Sequence, residues 1–335
     1  MILHPAIVAL VLVSFLITGM ILYSSFFGIR IIRRWDMESG SEEQLALERR
    51  TYLISTILSY VFAFQIGSFF LYIYTADSLH HLFIGAMCAA GVLNVDPYGY
   101  PTFLLKIFNF ILAGLWLIIN HVDNKAYDYP LIKKKYALLL ILAPLILTES
   151  ITQMLYFTQM KADVITSCCG SLFGSDQRSV GSDIAALPVK TAMAAFYLSL
   201  ALTFTSGLVY WIKGRWGRLF SVASGLFFMT SCVALVSFIS LYFYELPTHH
   251  CPFCVLQREY GYIGYLLYAS LLTGVVSGLG AGILMPFRGV SSLSGSLPRI
   301  QKRLAIICLL AYAIFAGISI YRMVNTDFTL GLFMA

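Results

Sequence analysis

The chain has 335 residues, 59% of them hydrophobic and 11% charged, with a formal net charge of +6. Soluble domains carry about 25% charged residues, so this composition excludes an ordinary water-soluble enzyme and marks an integral membrane protein. The positive balance is not a nucleic-acid signature, because the basic residues fall in short segments between long apolar stretches, as the positive-inside rule requires.

Apolar stretches of ~20 residues, each able to cross a ~30 Å hydrocarbon core, recur along the whole length. In chain order they predict an all-α polytopic membrane protein of about eight spans, near 5–28, 51–75, 102–121, 137–158, 189–212, 219–245, 261–286 and 304–322. The first is too long for a signal-peptide core and no small-residue cleavage site follows it, so it is expected to be retained. Of the 22 Lys and Arg residues, 16 fall on one side of this arrangement, among them Arg33, Arg34, Lys133, Lys134, Lys135 and Arg303. The richer side is expected to be cytoplasmic, which puts both termini outside. The expected location is therefore a bacterial inner (plasma) membrane, with residues 1–335 as one membrane domain. Loops 76–101, 159–188 and 246–260 would form a cysteine-rich cap facing the periplasm or exterior. No glycine-rich phosphate cradle is present, so neither nucleotide nor nucleic acid is expected as a partner. Gly274, Gly278 and Gly282 repeat at four-residue spacing in the seventh span, which predicts close helix packing.

Five of the seven cysteines and four of the six histidines collect in the outer loops of this topology. They occur as His80-His81, Met87-Cys88, Cys168-Cys169-Gly170 and His249-His250-Cys251-Pro252-Phe253-Cys254. Cys232 and Cys308 lie inside spans and read as small apolar packing residues. Cys251 and Cys254 bracket two residues at the expected start of the seventh span. A helix N-terminus stabilises thiolate over thiol, and exposed Cys-X-X-Cys pairs are the usual seat of disulfide exchange. Arg258 follows Cys254 by four residues, which on a helix would place both on one face. Pro252 suits a helix start, where its missing N–H is not needed.

The segment Cys251-Pro252-Phe253-Cys254-Val255-Leu256-Gln257-Arg258, entering a span from a short outer loop, resembles the first redox motif of DsbB-type disulfide bond formation proteins. The resemblance covers about 20 residues and implies a membrane thiol–disulfide oxidoreductase that passes electrons from an extracytoplasmic thiol protein to a quinone. Cys254 would face the quinone, Arg258 would activate it, with Gln257 and Glu245 nearby, and Cys251 would be the exchange partner. DsbB-type proteins have four spans and a second cysteine pair in a later outer loop. Here the further redox thiols can come only from Cys88, Cys168 or Cys169, which precede the motif.

A vicinal Cys168–Cys169 disulfide would close a strained ring. One member is better paired with Cys88 or with the Cys251/Cys254 pair, leaving the other as a resolving thiol or metal ligand. Alternatively, Cys88 and one vicinal cysteine form a fixed staple between loops. The histidines open a second class of function. His80, His81, His249 and His250, with the thiolates and Met87, are soft and borderline ligands suited to copper or zinc. A third class is a permease or assembly subunit whose cysteines only staple its loops. Glu149, near the middle of the fourth span, is an intramembrane carboxylate and a candidate proton relay. The tyrosines around the last outer motif read chiefly as an interfacial aromatic belt.

Overall fold

The computed structural model describes residues 3–36, 39, 41–161, 166, 180–185, 187–326 and 328. Cys168 and Cys169, candidates in the sequence, lie outside them. The described residues form helices and no strand: α1 (Pro5–Arg34), α2 (Glu42–Ser78), α3 (Ala89–Leu93), α4 (Gly99–Asp123), α5 (Ile132–Gln159), α6 (Val180–Ala185), α7 (Val189–Lys213), α8 (Gly217–Ala234), α9 (Ser240–Tyr244), α10 (Ile263–Ile283) and α11 (Leu297–Val324). Among the described residues eight helical segments are long and apolar enough to cross a membrane, with α8 continuing through a π-helical turn, Leu235–Ile239, into α9. The helices overrun the apolar stretches at charged ends, such as Arg30–Arg34 and Glu42–Arg50, because backbone hydrogen bonding continues after the hydrophobic requirement has been met.

The chain divides into two compact units. The first contains 1–75, 96–161 and 286–300, and the second 76–95, 162–285 and 301–335. In the first, α5 packs against α1 and α4. Its core includes Ile21, Leu58, Phe62, Trp116, Tyr136 and Leu142. Gly28 of α1 allows the Tyr136 ring to approach, since a Cβ there would lie 3.0 Å from Tyr136 Cδ1. Ser292 donates to Asp128 at 2.9 Å and ties the segment before α11 to the α4–α5 turn.

In the second unit α8 packs against α7 and α10. The glycine stripe of α10 is close-packed: a Cβ at Gly274 would overlap the Tyr312 ring, and one at Gly278 or Gly282 would overlap Ser224 or Ser221. Cys308 is buried beside Ser224, as expected of a packing residue. Cys232 differs, because its side chain points out of the bundle and is exposed.

Candidate functional site

Three sulfurs meet in the second unit. The Sγ atoms of Cys88, Cys251 and Cys254 all lie within 4.8 Å of one another. Cys88 and Cys251 approach each other to 3.5 Å. Their exposures of 0%, 0% and 5% place the trio beneath the protein surface. His249 approaches one corner, with Nε2 3.3 Å from Cys254 Sγ. Burial holds the His249 imidazole below its ordinary pKa, the Cys88 thiol opposing this and His250 reinforcing it. The ring is therefore neutral near pH 7 and keeps a nitrogen lone pair.

The local structure around the motif differs from the helix start that its spacing suggests. Cys254–Leu256 is a short 3-10 turn, Gln257 is extended (ψ 163), and Arg258–Tyr260 is a second 3-10 turn. Gly261 (φ +64) and Tyr262 (φ +56) then turn the chain into α10, which begins at Ile263. Cys251 and Cys254 therefore do not occupy the first turn of a spanning helix. Cys254 and Arg258 do not share a helix face, because the extended Gln257 breaks the helical register between them. Arg258 is exposed. The helix-terminus argument for a depressed thiol pKa and the argument from Arg258 spacing both lose their structural basis.

Backbone hydrogen bonds to side chains fold this irregular segment instead. Tyr244, at the end of α9, donates its hydroxyl to the Cys251 carbonyl at 2.7 Å and accepts the Val255 N–H at 2.9 Å. Tyr268 of α10 donates to the Pro252 carbonyl, and the Phe253 N–H points at Cys251 Sγ at 3.4 Å. Gly264 lets α10 come close, since a Cβ there would lie 2.8 Å from Val255 Cγ1 and 2.9 Å from its carbonyl oxygen. His250 bonds through Nδ1 to the Val236 carbonyl at 2.9 Å, within the π-helical turn where the regular ladder is interrupted. In the neutral ring this makes Nδ1 the donor and leaves Nε2 as the lone-pair nitrogen.

Asp77 and Gln257 attach the Cys88 loop to this segment. Asp77 Oδ1 accepts the Ala89 N–H at 3.2 Å and Gln257 Nε2 at 3.3 Å, and Gln257 Nε2 also donates to the Met87 carbonyl at 2.8 Å. Thr166, two residues before Cys168, donates its hydroxyl to the Gly91 carbonyl at 2.8 Å and its N–H to Ile84 at 3.0 Å. Gly85 makes room for it, with φ +88 and a Cβ position that would overlap the Thr166 carbonyl.

The remaining candidates lie elsewhere. His80 bonds through Nδ1 to the Asp77 carbonyl at 2.5 Å and stands 5.8 Å, ring to ring, from the exposed His81. Among the described residues neither belongs to the group of mutually close donor atoms. The Met87 side chain is 59% exposed, so this residue contributes its carbonyl rather than its sulfur. Glu245, at φ +56, pairs with Arg322 at 3.2 Å and accepts the Thr326 hydroxyl at 3.0 Å. Glu149 belongs to the first unit, where it pairs with Lys106 at 2.7 Å. Asp77 and Gly264 are not singled out in the sequence, and Tyr244 and Tyr268 read there with the interfacial aromatic belt rather than as partners of the cysteine turn.

No known protein family matches the chain, and neither a curated protein nor a solved structure shows significant similarity to it.

Proposed function

We propose that this chain is a metal-handling membrane protein that binds a thiophilic closed-shell cation, Zn2+ or Cu+, through Cys88, Cys251 and Cys254. The observation that carries this reading is the triangle of three buried sulfurs within 4.8 Å of one another. Tetrahedral zinc with ~2.3 Å bonds needs sulfurs about 3.8 Å apart, a spacing close to the one observed. Burying three thiolates together is prohibitive unless a cation compensates them, and thiolate softness selects copper(I) or zinc over harder ions. The neutral imidazole of His249, its Nε2 3.3 Å from Cys254 Sγ, would supply a fourth ligand after its side chain rearranges. The hydroxyls of Tyr244 and Tyr268 fix the turn that carries two of the sulfurs, as outer-shell partners of metal ligands do. By the distribution of basic residues the site faces the extracytoplasmic side, where it would take metal from, or give it to, an exported protein.

The test is the metal content of the full-length protein purified in detergent without chelators. Near-stoichiometric zinc or copper, lost on replacing Cys251 and Cys254 by Ser in a protein that remains monodisperse, is the expected result. A metal-free protein that also fails to take up added Zn2+ or Cu+ would overturn the reading.

A second reading, quinone-linked thiol oxidation, is favoured by the 3.5 Å contact between Cys88 and Cys251. In that reaction two thiols form a disulfide and release two protons and two electrons, and the electrons reduce quinone to quinol. A cavity of about 620 Å3 lined by Phe243, Tyr260, Ile263, Tyr321 and Arg322 would take the ring. Tyr260 packs on Tyr244 at 5.0 Å between that cavity and the Cys251 carbonyl. Oxidation of the trio by a soluble quinone, with no metal bound, would decide for this alternative.

A further inference from the structure

The first unit holds a second chemistry, unrelated to sulfur. Its helices α2, α4 and α5 carry polar side chains at two levels, with an apolar layer between them. At one level the Glu149 carboxylate of α5 receives three nitrogen donors. Lys106 Nζ lies 2.7 Å from Oε1, while Gln65 Nε2 and Asn109 Nδ2 lie 2.7 and 2.6 Å from Oε2. Lys106 also donates to Ser68 at 3.3 Å and stands 5.4 Å over the Tyr72 ring. The Lys106 and Glu149 side chains are 1% and 2% exposed.

At the other level Lys135 pairs with Asp123 at 2.8 Å and donates to Asn120 at 3.1 Å. Asn120 donates in turn to Ser59 at 3.0 Å. This level borders a hollow of about 20 Å3 between Lys135, Thr51, Ser55 and Asn124, with Glu48 at its rim. That is room for one water molecule. Between the two levels Phe62 and Trp116 close the path, with ring centroids 4.8 Å apart and no exposure.

One polar atom of this clamp is left unsatisfied. Asn109 is fully buried, and its Oδ1 has no hydrogen-bond partner among the described residues. The amide cannot be flipped to cure this, because flipping would set Oδ1 against the Glu149 carboxylate. A buried orphan acceptor is costly, and a water donating to Asn109 Oδ1 beside the carboxylate would satisfy it.

We propose that the first unit is a transmembrane proton path in which Glu149 is the proton-binding carboxylate, served by water held at Asn109 Oδ1. A proton delivered by hydronium forms an O–H bond on Glu149 in place of one of its donor contacts. When the Phe62–Trp116 layer opens, the proton passes through water to the Asp123–Lys135 level and leaves by the hollow at Glu48. The step moves one proton and no electrons, and an imposed pH gradient drives it.

The full-length protein, reconstituted in liposomes with an internal pH dye and a potassium–valinomycin clamp, tests this directly. After an external acid jump, wild-type vesicles should acidify several-fold faster than protein-free vesicles. Phe62→Ala should raise that rate about tenfold. Glu149→Gln should return it to background in both backgrounds, as should Lys106→Met/Glu149→Gln, which removes both charges together and so keeps the pair neutral if the single variant fails to fold. Sodium gradients without a pH gradient should move nothing. Vesicles of wild-type and Phe62→Ala protein no faster than protein-free ones would overturn the proposal, and so would proton flux that survives the double substitution.

Discussion

The sulfur cluster and the ion-paired levels are both buried polar sites in an apolar chain, and they are built in opposite ways. The cluster draws on irregular backbone: two 3-10 turns, an extended Gln257 and a loop closed by Asp77 and Gln257. The ion pairs sit on three long helices, of which α5 carries Pro144 five residues before Glu149. In hydrocarbon a helix satisfies its own backbone, so its side chains must balance charge among themselves. A turn leaves carbonyls and N–H groups to be satisfied, and Tyr244, Tyr268 and His250 do so while fixing where the sulfurs point. The ion pairs therefore depend on pairwise charge compensation, whereas the sulfur site depends on a scaffold of neutral hydrogen bonds.

That contrast can be broken most sharply at Lys106. Lys106→Met leaves the Glu149 carboxylate buried without its cation, and removing one partner of a buried pair costs about 3–5 kcal/mol. Lys106→Met/Glu149→Gln should recover most of that loss. Thermal unfolding in detergent compares the two, and a double variant as unstable as the single one would show that charge compensation is not what holds this level together. Next in size, Cys251→Ser removes a direct ligand and should weaken zinc or copper binding by more than the ~10–100-fold typical of outer-shell changes. Competition with a chelator of known affinity measures it, and unfolding should move far less than it does for Lys106→Met.

Tyr244→Phe gives an intermediate effect. It keeps the ring contacts with His249 at 4.5 Å and Tyr260 at 5.0 Å, but removes the hydroxyl that binds the Cys251 carbonyl and the Val255 N–H. Metal affinity should fall about 10–100-fold with the metal still bound at saturation. A stoichiometric loss equal to that of Cys251→Ser would mean that the turn does not form without the hydroxyl.

The number of spans was legible because apolar length is a one-dimensional quantity, and eight helices answer to eight stretches. Glu149 was legible for the same reason, as a charge where none is tolerated unpaired. Its partners were not, because Gln65, Lys106 and Asn109 are 84, 43 and 40 residues away. In the last outer motif the residues stood out but their conformation did not. Cys251 to Arg258 has helical spacing, yet Tyr244 and Tyr268 pull the segment into turns through contacts that no local pattern encodes. The convergence of Cys88 on Cys251 was not among the pairings read from the sequence, which joined Cys168 or Cys169 to Cys88 or to the Cys251/Cys254 pair. It arises from the Asp77–Gln257 bridge, which joins residues 180 apart.

Arg258 carries the smallest expected effect and separates the two readings of the sulfur site most cleanly. Its side chain is exposed, and the extended Gln257 between it and Cys254 removes the helical register that would set it over the thiols. Arg258→Ala should therefore change zinc or copper affinity by less than about twofold, the ordinary scale of a surface substitution. In the role that the DsbB-type resemblance implies for Arg258, its guanidinium would polarise the quinone carbonyl. The cavity beside Tyr260 is lined by Arg322 instead, so only the first arrangement makes quinone-driven oxidation depend on Arg258. A protein whose thiols oxidise with added quinone, and lose that response on Arg258→Ala, would assign the cluster to electron transfer even with its metal affinity unchanged.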